Sequence, residues 1–291
     1  MIQEEVFRPC EIIVVDSGSS DQSVAVALGT FMKHRASSSS YHVFRLHENV
    51  GYSRGNNIGF SKKTLKHGYT LFLNADAAVN LSALKSMLRV MDSHSDINVV
   101  GCSHVDGNAK PQIDVGDFPS PLEAFCSAVF ADKWAKNFSW YRSSAYCGRE
   151  SLAVDYVSGA AIMVRDTAFR EVGGFDENFF AFFEETDLCW RIQRHTYARA
   201  YYQHGGVIIH YGGANWRAGS DARISNMWTS RRRFIRKHYG VIGVVVCFTL
   251  YPVRYIAQVI YHSLTGGGAE LRTAWRNLKY SIFPRREYVG R

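Results

Sequence analysis

The chain has 291 residues, 46% of them apolar and 14% aromatic, with a formal net charge of +8. That apolar share excludes a disordered chain, and the absence of a strict glycine period excludes a collagen-like fibre. Six cysteines (Cys10, Cys102, Cys126, Cys147, Cys189, Cys247) are scattered with no C-x-x-C pair, which argues against a zinc ribbon or a disulfide-stapled secreted scaffold. The opening MIQEEVFRPCEII is acidic and lacks a long apolar run, unlike a signal peptide, so a reducing, cytoplasmic setting is expected.

In chain order, EIIVV (11–15) is a β-branched strand ending in the polar turn DSGSSD, and SVAVALGTFMKH (23–34) has helical spacing. YHVFRL (41–46) is a second strand, ending in HENVGYSRGNN, and 56–66 is helix-like. YTLFLN (69–74) is a third strand ending at AD, followed by the helix LSALKSMLRVMDSH (81–94) and the strand INVVGCSHV (97–105). Residues 106–150 are irregular and aromatic, with three prolines, as expected of a binding loop. VDYVSGAAIMVR (154–165) is strand-like, DTAFREVGGF starts a helix that stops at Gly173 and Gly174, FFEETDLCWRIQRH (182–195) is helical, and GGVIIHYGG (205–213) is a last strand. This strand–helix alternation predicts βαβ units and a parallel sheet covered on both faces.

Charge divides the chain in two. Residues 1–216 carry a balance of −3 and residues 217–291 a balance of +11. The densest basic run, Arg231, Arg232, Arg233, Arg236 and Lys237, precedes the uncharged VIGVVVCFTLYPV (241–253). Pro252 and Arg254 interrupt the apolar stretch, which argues against a clean crossing of a bilayer. Two readings are open: a helix lying in an anionic membrane surface, or a core helix with a solvated basic flank. No zinc finger or RNA-binding signature accompanies the basic tail, and no nucleic acid partner is expected.

Ligands of open α/β sheets bind beyond the carboxyl ends of the strands. Three such ends carry polar groups: Asp16; then Asn49, Gly51, Arg54 and Asn57; then Asn74 and Asp76. Each alone is also ordinary turn chemistry, whereas three on one edge make a shared crevice. Glu184, Glu185 and Asp187 open a helix, where the dipole favours them; crowding could also raise a carboxyl into the range of a general base. His210 ends a strand beside glycines, as a structural imidazole or as a ligand contact.

Six segments carry a resemblance: EIIVVDSGSSD, ENVGYSRGNNIGF, LFLNADAAV, VDYVSGAAIMVR, GGFDENFFAFFEETDLCWR and VIIHYGG. In this order they resemble the inverting nucleotide-sugar glycosyltransferases of family 2, and within it the bacterial rhamnosyltransferase-like branch. The resemblance implies a GT-A fold, a Rossmann-like, mostly parallel sheet flanked by helices, over 1–216, with 217–291 as a basic helical membrane-associating tail. It implies that Asp16, Gly51, Asn57, Asn74 and Asp76 bind a nucleotide sugar, and that Asp76 and His210 hold a divalent metal, Mg or Mn. It makes Glu185 the catalytic base with Asp187 beside it, and puts Glu184, Trp190 and Arg191 on the acceptor and diphosphate side.

The implied reaction moves a sugar, rhamnose from dTDP-rhamnose, to a glycan carried on a polyprenyl diphosphate. The implied setting is cytoplasmic, on the inner face of the cell membrane. The family's usual opening strand and helix before the VVD strand have no counterpart in the ten residues ahead of EIIVVD. An unpaired sheet edge is therefore expected, and with it the alternative of a non-catalytic, glycosyltransferase-like binding protein.

Overall fold

The computed structural model describes residues 10–33, 39–66, 68–112, 114–129, 150–212 and 220–283. Residues 130–149 of the expected aromatic loop (106–150), and Gly213 of the glycine turn after His210, lie outside the described residues. The five described cysteines are free thiols.

β1 (Cys10–Asp16) and β2 (Ser39–Arg45) pair in parallel around α1 (Ser23–Lys33), with Asp16 opposite Arg45. They form a two-stranded sheet of their own. The main sheet contains β3 (Tyr69–Leu73), β4 (Ala77–Val79), β5 (Val99–Val105), β7 (Leu152–Val154), β9 (Ala161–Arg165) and β10 (Ala200–His210). Its order is β3-β9-β5-β10-β4, with β7 also on β10. Among the described strands β1 pairs only with β2 and β3 only with β9.

The expected mostly parallel sheet is instead mixed. In the main sheet only β5 and β10 run parallel; β3–β9, β5–β9, β10–β4 and β10–β7 are antiparallel. β4 follows β3 and β9 follows β8 after short turns, so neither strand continues the strand–helix alternation. The stretch read as one strand at 154–165 breaks into three, because β8 (Tyr156–Val157) leaves to pair with β6 (Val115–Gly116) before the chain turns at 158–160 into β9.

Both faces of the main sheet are buried, as predicted. Along β9, Ala161 and Met163 face one core with Val100, Cys102 and the α3 (Leu81–Ser93) residues Ala83, Met87 and Met91. Ile162 and Val164 face the other, with Phe72, Phe169, Leu188 and Ile192 from the side of α5 (Asp166–Glu171) and α6 (Glu184–Thr196). Each such buried large side chain contributes about 1.5–3 kcal/mol. Helix α2 (Gly51–Ser61) starts five residues earlier than its sequence pattern suggests, because the Asn49 side chain accepts from the Gly51 N–H at 3.1 Å and sets the first turn.

The tail is helical. α7 (Asp221–Thr265) breaks at Gly240, which has φ 67° and ψ −165°. Its arms, 221–239 and 241–265, fold back on each other: the Trp228 ring of the first packs on Phe248, Tyr251 and Tyr255 of the second, at 6.0, 5.3 and 5.7 Å. α8 (Gly268–Ile282) closes the unit, with the Trp228 indole donating to Asn277 and the Tyr280 hydroxyl to Asp221. The unit sits on α4 (Pro121–Ala128), where Arg231 and the Tyr251 hydroxyl both donate to Glu123, at 2.8 and 2.7 Å.

Candidate active site

The acidic helix α6 begins after two consecutive residues in left-handed backbone, Phe182 and Phe183, both at φ 67°. Non-glycine residues there cost of order 1–3 kcal/mol each and persist only where their surroundings hold them. Two elements, α2 and α7, do so. Tyr52 N–H donates to Phe180 O at 3.0 Å, Ser53 Oγ to Phe179 O at 2.7 Å, and Ser230 Oγ to Ala181 O at 2.8 Å, while Arg233 donates to Asn178 O. The left-handed pair also explains why the helix starts at Glu184 rather than at residue 182.

This turn places Glu184 and Glu185 inside the protein. Burial, then the neighbouring Glu185 charge, pushes the Glu184 carboxyl well above its usual range, and its Oε2 has no partner among the described residues. Burial raises Glu185 too, against backbone hydrogen bonds and the Thr186 hydroxyl, which donates to it at 3.2 Å. Glu185 lies against the 158–160 turn: a Cβ on Gly159 would sit 3.4 Å from the Glu185 Cβ. The next residue, Ala160, accepts from the Asn74 N–H at 2.9 Å. One three-residue turn therefore touches both the acidic pair and the end of β3.

Tyr52 was not singled out by sequence and bridges the same place. Its hydroxyl donates to Gly159 O at 2.8 Å, and burial followed by both glutamates raises its pKa. Only its position within NVGYSRGNN signalled it.

Asp76 follows that end of β3 and precedes β4. The β4–β10 register sets Ala77 opposite His210, and Tyr211 N–H donates to Asp76 O at 2.9 Å. His210 Nε2 thereby stands 3.5 Å from Asp76 Oδ1. Two donors at ~2.1 Å from a shared hard cation lie about 3–4 Å apart, so the pair fits a divalent ion. Among the described residues no group of three or more His, Cys, Asp or Glu could hold a metal. A cation here would draw its other ligands from water and phosphate oxygens, as magnesium-type sites do. The neighbouring His104 ring, 6.4 Å away and edge-on, is buried and pushed down to about 4, first by burial and then by His210, so it stays neutral.

The remaining predicted residues divide. Asp16 is buried at the end of β1, accepts from Ser19 N–H at 3.3 Å and lies 3.9 Å from Arg45 Nε. Gly51, at φ +79°, lets Phe180 approach to where a Cβ would meet its ring at 2.6 Å. Asn57 braces a loop: its amide donates to Phe175 O at 2.8 Å and to Glu177, and accepts from Phe175 N–H at 2.9 Å.

Asp187 is not free for proton transfer. It is fully buried and paired with Arg191 at 2.7 Å, Lys237 at 2.8 Å and His238 at 2.8 Å. Burial alone would raise its carboxyl; the His238 hydrogen bond, then Arg191 and Lys237, hold it at about 2. Arg191 also donates to Val172 O, and Trp190 packs among Phe118, Phe234, His238 and Tyr239. Neither side chain is drawn to the Glu185–Asn74 region. The basic run is thus partly internal: Arg231, Arg233 and Lys237 anchor α7 to Glu123, Asn178 and Asp176/Asp187.

The glycosyl transferase family 2 profile matches residues 4–171, and the chain belongs to that family. It is similar to an N-acetylglucosaminyl-diphospho-decaprenol L-rhamnosyltransferase of Mycobacterium tuberculosis, 23% identical over 215 residues, covering 70% of this chain and 67% of that one. It is also similar to the low-salt glycan biosynthesis hexosyltransferase Agl10 of Haloferax volcanii, 24% identical over 188 residues and 63% of this chain. The chain spans about half the length of that relative, 53%. A solved structure, GalNAc-T7 with UDP, GalNAc and Mn2+, superposes with a TM-score of 0.54 over 94% of this chain and 49% of its own, at 14% identity. That likeness establishes a GT-A-like α/β fold.

Proposed function

We propose that this family 2 chain is an inverting glycosyltransferase that moves a sugar, rhamnose from dTDP-rhamnose, to a glycan on a polyprenyl diphosphate. The observation that carries the reading is the 158–160 turn, which joins a buried, raised-pKa glutamate pair to the strand end bearing Asn74 and Asp76. Glu185 accepts the proton of the acceptor hydroxyl as that oxygen attacks the anomeric carbon from the face opposite the nucleotide. A carboxyl with a raised pKa suits that task, because it keeps the proton it takes. Tyr52 holds the turn, and Asp76 with His210 would hold Mg2+ or Mn2+. That ion would offset charge gathering on the departing diphosphate. The mycobacterial relative's name supports rhamnose and a polyprenyl-linked acceptor.

Release of dTDP from dTDP-rhamnose, with Mn2+ and a lipid-linked N-acetylglucosamine acceptor, tests the proposal. Glu185→Gln should lower turnover by about 10²–10⁴-fold with donor affinity nearly intact. Wild-type turnover unaffected by that change would overturn the base assignment. The second reading is a non-catalytic, glycosyltransferase-like binding protein. Micromolar binding of dTDP or UDP with metal, seen by calorimetry, removes it.

We further propose that 217–291 rests on an anionic bilayer without crossing it. One described helix, α7, is long and apolar enough to cross a membrane, but Gly240 divides it. Along its second arm Ile242, Val245, Val253, Ile256, Ile260 and Leu264 form an exposed apolar stripe, with Ile242 80% and Leu264 82% exposed. The opposite side, Gly243, Cys247, Tyr251 and Val259, is buried against the protein. The same helical unit exposes Arg232, Arg236, Arg272, Trp275 and Lys279, the mixture of cations and indole that suits an anionic interface.

A further inference from the structure

We infer that Gln112 is a positioning residue that fixes the His210 tautomer for cation binding. The inference rests on the reading of Asp76 and His210 as the residues that hold a divalent ion, and it extends that reading to a residue from a separate segment of chain.

Gln112 lies beside β5, where its own N–H donates to His104 O at 2.9 Å. Its side-chain amide makes two contacts to one residue. Nε2 donates to the His210 backbone carbonyl at 2.8 Å, and Oε1 stands 2.9 Å from His210 Nδ1. A backbone carbonyl can only accept, so the amide nitrogen must face it and the amide oxygen must face Nδ1. An amide oxygen can only accept, so Nδ1 must carry a proton. In a neutral imidazole the lone pair then resides on Nε2, the atom 3.5 Å from Asp76 Oδ1.

A nitrogen lone pair and a carboxylate oxygen aimed at one another repel unless something positive lies between them. Gln112 therefore prepares the two groups for a cation, in the way that hydrogen-bond partners of metal-bound histidines fix ring orientation and raise ligand basicity. Two further contacts hold the geometry: Tyr211 N–H to Asp76 O, and the edge-on His104 ring beside His210.

The test uses the full chain with dTDP present and Mn2+ as the probe, free ion being counted by electron paramagnetic resonance. Wild type, Asp76→Asn, Gln112→Ala and Gln112→Glu are compared. Gln112→Ala should weaken Mn2+ binding by about 10–100-fold. Gln112→Glu keeps an acceptor for Nδ1–H at the same reach but sets its second oxygen against the His210 carbonyl, so it should bind Mn2+ more tightly than Gln112→Ala and more weakly than wild type. A second measurement needs no metal: nitrogen NMR of ¹⁵N-histidine-labelled protein, with His210→Ala for assignment, should show wild-type His210 protonated on Nδ1. In Gln112→Ala that preference should be lost.

Mn2+ binding that Asp76→Asn abolishes but Gln112→Ala leaves unchanged overturns the role of Gln112 alone. A proton on Nε2 in the wild type overturns it as well. Equal, negligible Mn2+ binding by wild type and Asp76→Asn overturns the cation reading beneath it.

Discussion

Asp187→Asn isolates what ties the acidic helix to the tail. The substitution keeps the shape of the side chain and removes the charge that Arg191, Lys237 and His238 share. The carboxyl lies at about 2 against an ordinary 3.8, a difference of nearly two units and about 2.5 kcal/mol of charge-linked stability. Three cationic or polar partners left facing a neutral amide raise the expected loss to about 3–5 kcal/mol. That is a large share of the ~5–15 kcal/mol of a typical domain.

The sign follows from the depressed pKa. The contribution is complete above the unfolded value, near 4, and is lost as pH falls through about 2. Urea unfolding followed by circular dichroism should therefore show wild type and variant differing by several kcal/mol near pH 5, with the gap narrowing by about 1 kcal/mol near pH 3. A loss under ~1 kcal/mol near pH 5, or a gap that widens on acidification, would refute the reasoning.

The glutamate pair predicts a second pH effect. With Glu185 acting as base, turnover falls as pH drops through its raised pKa, so the acid limb should lie above that of an ordinary glutamate; because burial is what raises Glu185, Glu184→Gln should leave the limb in place. A limb that moves to lower pH would show that a charge on Glu184 helps to set it. Gly51→Ala imposes a Cβ at φ +79° and 2.6 Å from the Phe180 ring; a loss of at least ~2 kcal/mol in thermal or urea unfolding is expected. Ile256→Asp with Ile260→Asp should abolish flotation with phosphatidylglycerol vesicles, and undiminished flotation would place the contact elsewhere.

Much of the architecture was legible because β-branched runs and polar strand ends follow local rules. EIIVV, YTLFL and VIIH are strands, and Asp76, after the second, stands beside His210 at the end of the third. What was hidden depends on partners distant in sequence. Nothing local signals that Ala77 and His210 share a register, or that Gln112 faces His210 across 98 residues. Asp187 looked catalytic because carboxylates crowd there, yet its charge is matched by Lys237 and His238, fifty residues on. The basic run looks like free surface charge in the sequence, although Arg231, Arg233 and Lys237 are each tied to a distant partner. Strand direction was hidden for another reason: β4 and β9 follow turns rather than helices, and each pairs with a strand distant in sequence.

The left-handed backbone at Phe182 and Phe183 has a consequence for the order of assembly. The braces on the segment ahead of the acidic helix come from both sides of it in sequence: Tyr52 and Ser53 long before, Ser230 and Arg233 long after. A nascent chain whose sheet is already formed still lacks half of those braces until the first arm of α7 has left the ribosome. The acidic corner should therefore reach its final shape last. A protein released before residue 230 would carry every sheet residue of the site and still miss its working arrangement.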